Sequence, residues 1–335
     1  MGRTHHPKPV DRAMAVLGIA LIATLGCPPQ GEKLAPTAGL PQYQERAVIP
    51  VPGAVVNPLG GNLLVRRSDL SIDTHLGTRE IGAVYNSTSE QWLWSFDIRY
   101  DGASFADPTG ATHDTSALAP GDAIPGTVWV VVDGDTIKSK GGLAHDFGPD
   151  SRLDAVHYTS AAYPRLRHGS ETIAGEPRTV AIDQCMAPGD CETVFAIAYR
   201  LDGRVASITD RAGRVAEVHY SENRLVRVRD GLDTSRGGPG TRYEYAGAKL
   251  TAIVNSEDER VEYAYSGNRL QEARAIGEEN PVHRFDYYVE NDAGLYATRH
   301  VDPLGHTTWF RYDGQRRLHE REAADLEESM HFAWD

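Results

Sequence analysis

The chain has 335 residues, 40% of them hydrophobic, and a formal net charge of −13 at neutral pH. That apolar content excludes a disordered composition and provides for a large core. The acidic balance excludes a nucleic-acid partner, because phosphate neutralisation needs clustered Lys and Arg.

Residues 1–27 read as an export signal. Arg3, Lys8 and Arg12 form a basic start, and Ala13–Gly26 is an apolar run too short for a comfortable membrane span. The run ends in Thr24-Leu25-Gly26-Cys27. A small residue before Cys is similar to a bacterial lipobox, which implies lipidation of Cys27 and attachment to a membrane surface. Thr24 and Leu25 depart from that pattern, so a plain secretory signal is the alternative. Residues 28–54 are rich in Pro and Gly and read as an extended tether that holds the folded part off the membrane.

Residues 55–194 read as a β-rich domain. Leu63–Val65 and Leu70–Ile72 are short strand candidates around a Gly60-Gly61-Asn62 turn. Gln91–Tyr100 alternates Trp92, Trp94, Phe96, Ile98 and Tyr100, which predicts one amphipathic strand. Thr127–Val132 predicts a strand buried on both faces, and Asp133-Gly134-Asp135 a tight hairpin into Thr136-Ile137. Asp133 and Asp135 are the one acidic pair that invites a metal or hydrolase reading, but two carboxylates on a hairpin tip are usually just a turn. Weaker strand candidates lie around Ala155–Tyr158 and Arg178–Ile182. Cys185 and Cys191 bracket a Pro-Gly turn, and in an oxidising compartment that spacing suits a hairpin disulfide.

Residues 195–335 repeat a phrase. Asp202-Gly203-Arg204 precedes Tyr220, Asp302-Pro303-Leu304-Gly305 precedes Phe310-Arg311-Tyr312-Asp313, and Arg317-Leu318 follows. The marker aromatics Tyr199, Tyr220, Tyr245, Tyr265, Tyr288, Tyr312 and Trp334 recur every 20 to 25 residues. A period of this size predicts about six stacked strand–turn–strand units sharing one core. Arg residues alternate with Asp and Glu between the markers, as on a solvated mixed-charge face. Glu320–Met330 is helix-friendly and reads as a short excursion between strands. The last aromatic phrase, Phe332–Asp335, stops in mid-repeat. This predicts a piece of a longer array or a truncated one.

The DPxG, aromatic-x-Tyr-Asp and Arg-Leu sequence resembles the YD repeat of the rearrangement-hotspot (RHS) family. That family includes bacterial RHS proteins, the shell subunits of insecticidal toxin complexes and the teneurins. A second phrase, Asn57, then Gly61-Asn62-Leu63, then Asp69-Leu70, then Tyr85-Asn86-Ser87, is similar to the domain that precedes the repeats in many bacterial members. Gly60 stands where that domain usually has Thr. The resemblance implies an all-β fold, an antiparallel YD-repeat sheet forming an open, curled part of a cocoon behind a small β-rich N-terminal domain. Taken with the lipobox-like Cys27 and the tether, it points to an exported, lipid-anchored scaffold or interaction protein of the bacterial envelope or surface, without catalysis or cofactor, that as in the family encloses protein cargo or contacts other cells. A carbohydrate-binding module, using ring faces such as Tyr312 and Trp309, is the alternative. A polysaccharide or cell-wall hydrolase has only dispersed carboxylates in its favour: no nucleophile elbow, metalloprotease motif or phosphate loop occurs.

Overall fold

β-branched and aromatic residues make strands of most of the chain, and one short helix interrupts them. The computed structural model describes residues 48–331 except 126, 140, 278–281, 291–294, 315–316 and 325–327, and not the side chains of 234, 235, 289, 290 and 328. The leader, Cys27, most of the tether and Phe332–Asp335 therefore lie outside the described residues.

A first antiparallel sheet runs in chain order through β1 (Ile49–Val51), β2 (Ala54–Asn57), β3 (Asn62–Thr74), β4 (Gly77–Asn86) and β5 (Gln91–Trp94). A small second sheet holds β6 (Arg99–Tyr100), β7 (Ser104–Ala106) and β8 (Thr112–Asp114). The third is a long meander. It begins with β9 (Trp129–Val131), β10 (Thr136–Ser139), β11 (Leu143–Phe147), β12 (Leu153–Tyr158), β13 (Arg165–Ile173), β14 (Glu176–Ala187) and β15 (Asp190–Tyr199). It continues through β16 (Val205–Asp210), β17 (Val215–Ser221), β18 (Arg224–Arg229), β19 (Thr241–Ala246), β20 (Lys249–Val254) and β21 (Arg260–Ser266). It ends with β22 (Arg269–Ile276), β23 (Val282–Glu290), β24 (Leu295–Val301), β25 (Thr307–Tyr312), β26 (Leu318–Ala323) and β27 (Glu328–His331). Helix α1 (Gly231–Arg236) links β18 to β19. The sheet that carries the repeats thus begins well before residue 195.

Each strand from β9 to β26 pairs with its successor, and among the described residues no register joins β27 back to β9. The sheet is therefore open, and its two edges differ. The free side of β9 is covered by residues 121–124: Gly121 donates its amide to Val131 O at 2.8 Å, Val131 to Asp122 O at 2.9 Å, and Ile124 to Trp129 O at 2.8 Å. Covering an edge with a loop removes its template for unwanted strand pairing.

Two turns alternate along the repeats. The tight one has two residues at positive φ, as at Glu222 (48°) and Asn223 (69°) between Ser221 and Arg224. In the wide one, Asp210, Asn255 or Asp302 gives its amide to the carbonyl four residues on and accepts the amides two and four ahead on its side-chain oxygen. The third residue after each has positive φ: Gly213, Asp258 and Gly305. A bulge stands immediately before Tyr199, Tyr220, Tyr245, Tyr265 and Tyr312. Regular bulges raise local twist and make the sheet curl.

Three expectations are corrected. Gln91–Tyr100 is two strands, because the chain turns at Ser95–Asp97 and passes from the first sheet to the second. Trp94, Phe96, Ile98 and Tyr100 are nevertheless all buried. Thr127–Val132 yields only β9, half-buried at Trp129 and Val130 because it is an outer strand. Glu320–Met330 holds β26 and β27 rather than a helix: ladder pairing such as Glu320 with His331 overrides the local propensity. The helix that does form, α1, was not expected. Asp230 starts it by accepting the amides of Leu232 and Asp233 at 2.8 Å each.

Candidate functional site

The repeat tyrosines lie on the inner face of the long sheet, where a basic residue and a leucine recur with them. Tyr220 pairs with Leu225, Tyr245 with Leu250, Tyr265 with Leu270 and Tyr312 with Leu318. The cation before each leucine lies over the next ring. Arg224 covers Tyr245 (5.9 Å), Lys249 covers Tyr265 (5.5 Å) and Arg269 covers Tyr287 (5.2 Å), while Arg204 covers Tyr220 (5.2 Å). At two of these steps the leucine carbonyl accepts the next hydroxyl, Tyr245 donating to Leu225 O and Tyr287 to Leu270 O, both at 2.7 Å, whereas the buried Tyr265 hydroxyl has no such partner. The Arg-Leu of the repeat is thus a two-part socket for the following tyrosine. Burial pushes these phenols up, Tyr220 to about 12 and Tyr245, Tyr265, Tyr287 and Tyr312 further.

One marker is displaced. Tyr288 is 42% exposed and faces outward, and its neighbour Tyr287 takes the socket on Leu270. Tyr312 is 2% exposed, so its ring face is closed to any ligand, contrary to its place in the carbohydrate reading. Asp202, Gly203, Asp302, Gly305 and Asp313 all sit in turns. Cys185 and Cys191 form a disulfide across the β14–β15 hairpin. Asp133 and Asp135 stand at the exposed β9–β10 tip, where Asp133 accepts the Asp135 amide.

The first sheet lies against the inner face, and the N-terminal phrase is concentrated at that contact. Asn57 O accepts the Gly61 amide at 2.8 Å and closes the β2–β3 turn. Gly61 O then accepts the amide of Leu270 at 2.9 Å, across the two sheets. Asn62 Oδ1 accepts the Ser87 hydroxyl at 2.9 Å, and Ser87 Oγ accepts the Leu63 amide at 2.8 Å, which ties β3 to the end of β4. Asn86 Nδ2 donates to Thr109 O at 3.0 Å and links this corner to the second sheet. Tyr85 is fully buried: its hydroxyl donates to Ala248 O at 3.2 Å and accepts the Leu250 amide at 3.0 Å. Lys249 reaches Ser87 O and Glu90 at 3.1 and 3.0 Å. Tyr263 donates to Pro52 O at 2.8 Å and Trp92 to Tyr245 at 2.8 Å.

Gly61 is conformationally required. Its φ is +67°, and a Cβ there would come within 2.7 Å of the Arg269 Cβ and 2.9 Å of the Tyr287 ring. Gly61→Ala is therefore expected to lower stability by about 2 kcal/mol or more, through strain and a displaced contact together. Equal urea midpoints for the variant and the parent would refute that steric account.

Sequence reasoning missed the group at the centre of this contact. Asp69, the extra residue of a bulge in β3, faces Arg67 at 3.0 Å, with side chains only 4% and 8% exposed. The guanidinium lies 4.7 Å from the Trp94 ring centre and 5.5 Å from that of Trp92. Burial raises the Asp69 carboxyl above its ordinary value despite the nearby cation. The one available signal was Asp69 standing within the family phrase. Leu70 is buried beside it, its side chain filling the space over Gly231 of α1.

Among the described residues, no group of three or more His, Cys, Asp or Glu is placed to hold a metal ion. No helix among them is long and apolar enough to cross a membrane. The outward face of β19–β22 is a salt-bridged ladder, with Arg260 joined to Glu244 at 2.7 Å and to Glu262 at 2.8 Å.

No protein-family profile matches the chain, and no curated protein matches it by sequence. Among solved structures it is similar to the crystal structure of TcdB2-TccC3, at 11% identity and a TM-score of 0.39 over 86% of this chain. It is also similar to the Photorhabdus luminescens Tc holotoxin pore, at 12% identity and a TM-score of 0.34 over 83% of this chain. The chain spans only 16% and 14% of the length of those two.

Proposed function

We propose that the chain is an exported YD-repeat scaffold of the bacterial envelope or surface, of the kind that builds shells around toxins, held to a membrane by lipid on Cys27. The observation that carries this reading is the sealing of the inner face. The first sheet fills it through Tyr85, Ser87, Gly61 and Pro52, and residues 121–124 cover the β9 edge. Over the described repeats the first sheet occupies the space that such a shell would otherwise enclose. The chain's role is to start and stabilise a curved wall, and its contacts with protein cargo or other molecules fall to the outward face and to the β27 side. The basic start, the apolar run, Cys27 and the Pro/Gly tether support export and anchoring.

The test is metabolic labelling with a fatty-acid analogue, followed by fractionation of the bacterium. Label in the intact chain, lost in Cys27→Ser together with membrane association, is the expected result. A mature protein with an unmodified Cys27, or one retained in the cytoplasm, would overturn the anchoring.

A further inference from the structure

The β14–β15 hairpin ends in a covalent tie whose two sides differ in access. Cys185 and Cys191 are register partners joined by a disulfide. Cys185 is fully buried, whereas Cys191 and the tip before it, Met186–Asp190, are exposed. The ladder around the bond is irregular: the register shifts between Ile182 and Asp183 and again between Cys185 and Ala187. Next to the two cysteines stand Gln184 and Glu192, also register partners, and both lead to the turn between β3 and β4. Gln184 Oε1 accepts the His75 amide at 3.1 Å. Glu192 lies 3.6 Å from Arg211, whose guanidinium donates to Asp73 O at 3.1 Å. On the other side of β14, register places Arg165 beside Cys185, and the buried Arg165 Nε has no hydrogen-bond partner.

We propose that Cys191 is a thiol-exchange site, through which an external dithiol releases the β3–β4 turn from the repeat sheet. Access decides which sulfur is attacked. An incoming thiolate reaches Cys191 Sγ and forms a mixed disulfide with it, while the Cys185–Cys191 bond breaks and its electron pair leaves on Cys185 Sγ. The Arg165 cation on the neighbouring strand favours that departing thiolate. The second thiol of the reductant then attacks its own sulfur in the mixed disulfide and frees Cys191. The dithiol ends as a disulfide, and the protein gains two electrons and two protons as two thiols. Without the bond, only an irregular ladder holds the hairpin end in register, and fraying there starts one residue from Gln184 and Glu192. The β3–β4 turn loses its hold first, while contacts elsewhere in the joint, such as Tyr85 with Leu250, remain. The proposal rests on the docking of the first sheet and is independent of the lipid anchor.

The experiment uses the full chain carrying Cys27→Ser, so that no third thiol competes. Brief treatment with glutathione, acid quenching and peptide mapping should place the mixed disulfide on Cys191. Amide exchange read by mass spectrometry, before and after native-state reduction with dithiothreitol, should be about tenfold or more faster over residues 71–79 in the reduced chain. The Leu250 amide, held by the Tyr85 hydroxyl, is the reference and should stay protected in both states. Oxidised Gln184→Ala should match the reduced chain at residues 71–79 with its disulfide intact, which assigns the effect to the Gln184 contact. A bond that resists dithiothreitol until the chain is unfolded in urea, a mixed disulfide on Cys185, or equal exchange at residues 71–79 in both states would overturn the proposal. A Leu250 amide unprotected in both states would remove the docking itself and the proposal with it.

Discussion

Arg67→Met is expected to cost about 3–5 kcal/mol of stability at pH 7, because it strands the Asp69 carboxylate in the contact between the two sheets. The Arg67–Asp69 pair is almost fully buried, so neither charge has water to turn to. Removing the guanidinium also removes its stacking on Trp92 and Trp94, worth about 1–2 kcal/mol at a desolvated site. The burial that raises the Asp69 carboxyl makes protonation its escape, so the penalty should shrink as pH falls. Arg67→Met combined with Asp69→Leu removes both charges and should recover most of the loss, since a buried ion pair replaced by apolar groups is often neutral. Urea midpoints of the three proteins at two pH values decide this. A double variant as unstable as the single one would show that the pair does more than balance itself.

Acidification from pH 7 to pH 4 is expected to remove most of the remaining stability. His145, His168 and His300 are pushed down, to about 4, 3 and 4, and burial is the largest cause for each. His145 lowers His168 further, Arg79 and His157 lower His145, and His300 lies 3.0 Å from His283, which is pushed down as well. A histidine depressed in the folded state must stay neutral there while the unfolded chain takes up protons below about 6.5. Its contribution is therefore intact above that value and declines as pH falls towards the folded value. At about 1.4 kcal/mol per pH unit, each of the three loses on the order of 3 kcal/mol by pH 4. Asp69 works the other way, relieving strain as it gains a proton, but it is a single group. Against a typical stability of about 5–15 kcal/mol, the histidines should dominate. His168→Leu should flatten the pH dependence, because it removes a buried titrating ring whose Nδ1 has no hydrogen-bond partner to lose. Equal urea midpoints at pH 7 and pH 4.5 would contradict the reading.

The repeats were legible because their chemistry is local. An Asp that caps its own turn and a Gly at positive φ leave a signature within five residues, as at Asp302–His306. The strand–turn–strand pattern of the repeats and the hairpin disulfide followed from the same short-range logic. The doublet Tyr287-Tyr288 was ambiguous because either phase keeps the period, and only the distant Leu270 carbonyl decides between them. The joint between the sheets was out of reach for the same reason. Tyr85 meets Ala248 and Leu250, and Lys249 meets Ser87 and Glu90, across long stretches of chain that no pattern connects. The N-terminal phrase marked the residues of this joint without revealing its partner. Arg67 and Asp69 sat within an ordinary polar run, Arg66-Arg67-Ser68-Asp69, and only the bulge in β3 makes them a buried pair.

The central claim is that the first sheet seals the inner face of the repeats. Zero-length carbodiimide coupling tests it directly, since Lys249 Nζ and Glu90 Oε1 are 3.0 Å apart. Coupling the native chain and digesting it should give a Lys249–Glu90 cross-linked peptide in high yield, lost when the protein is first unfolded in urea. Reaction of the reagent with other lysines of the native chain, such as Lys138, with no Lys249–Glu90 peptide recovered, would mean that the sheet does not rest there.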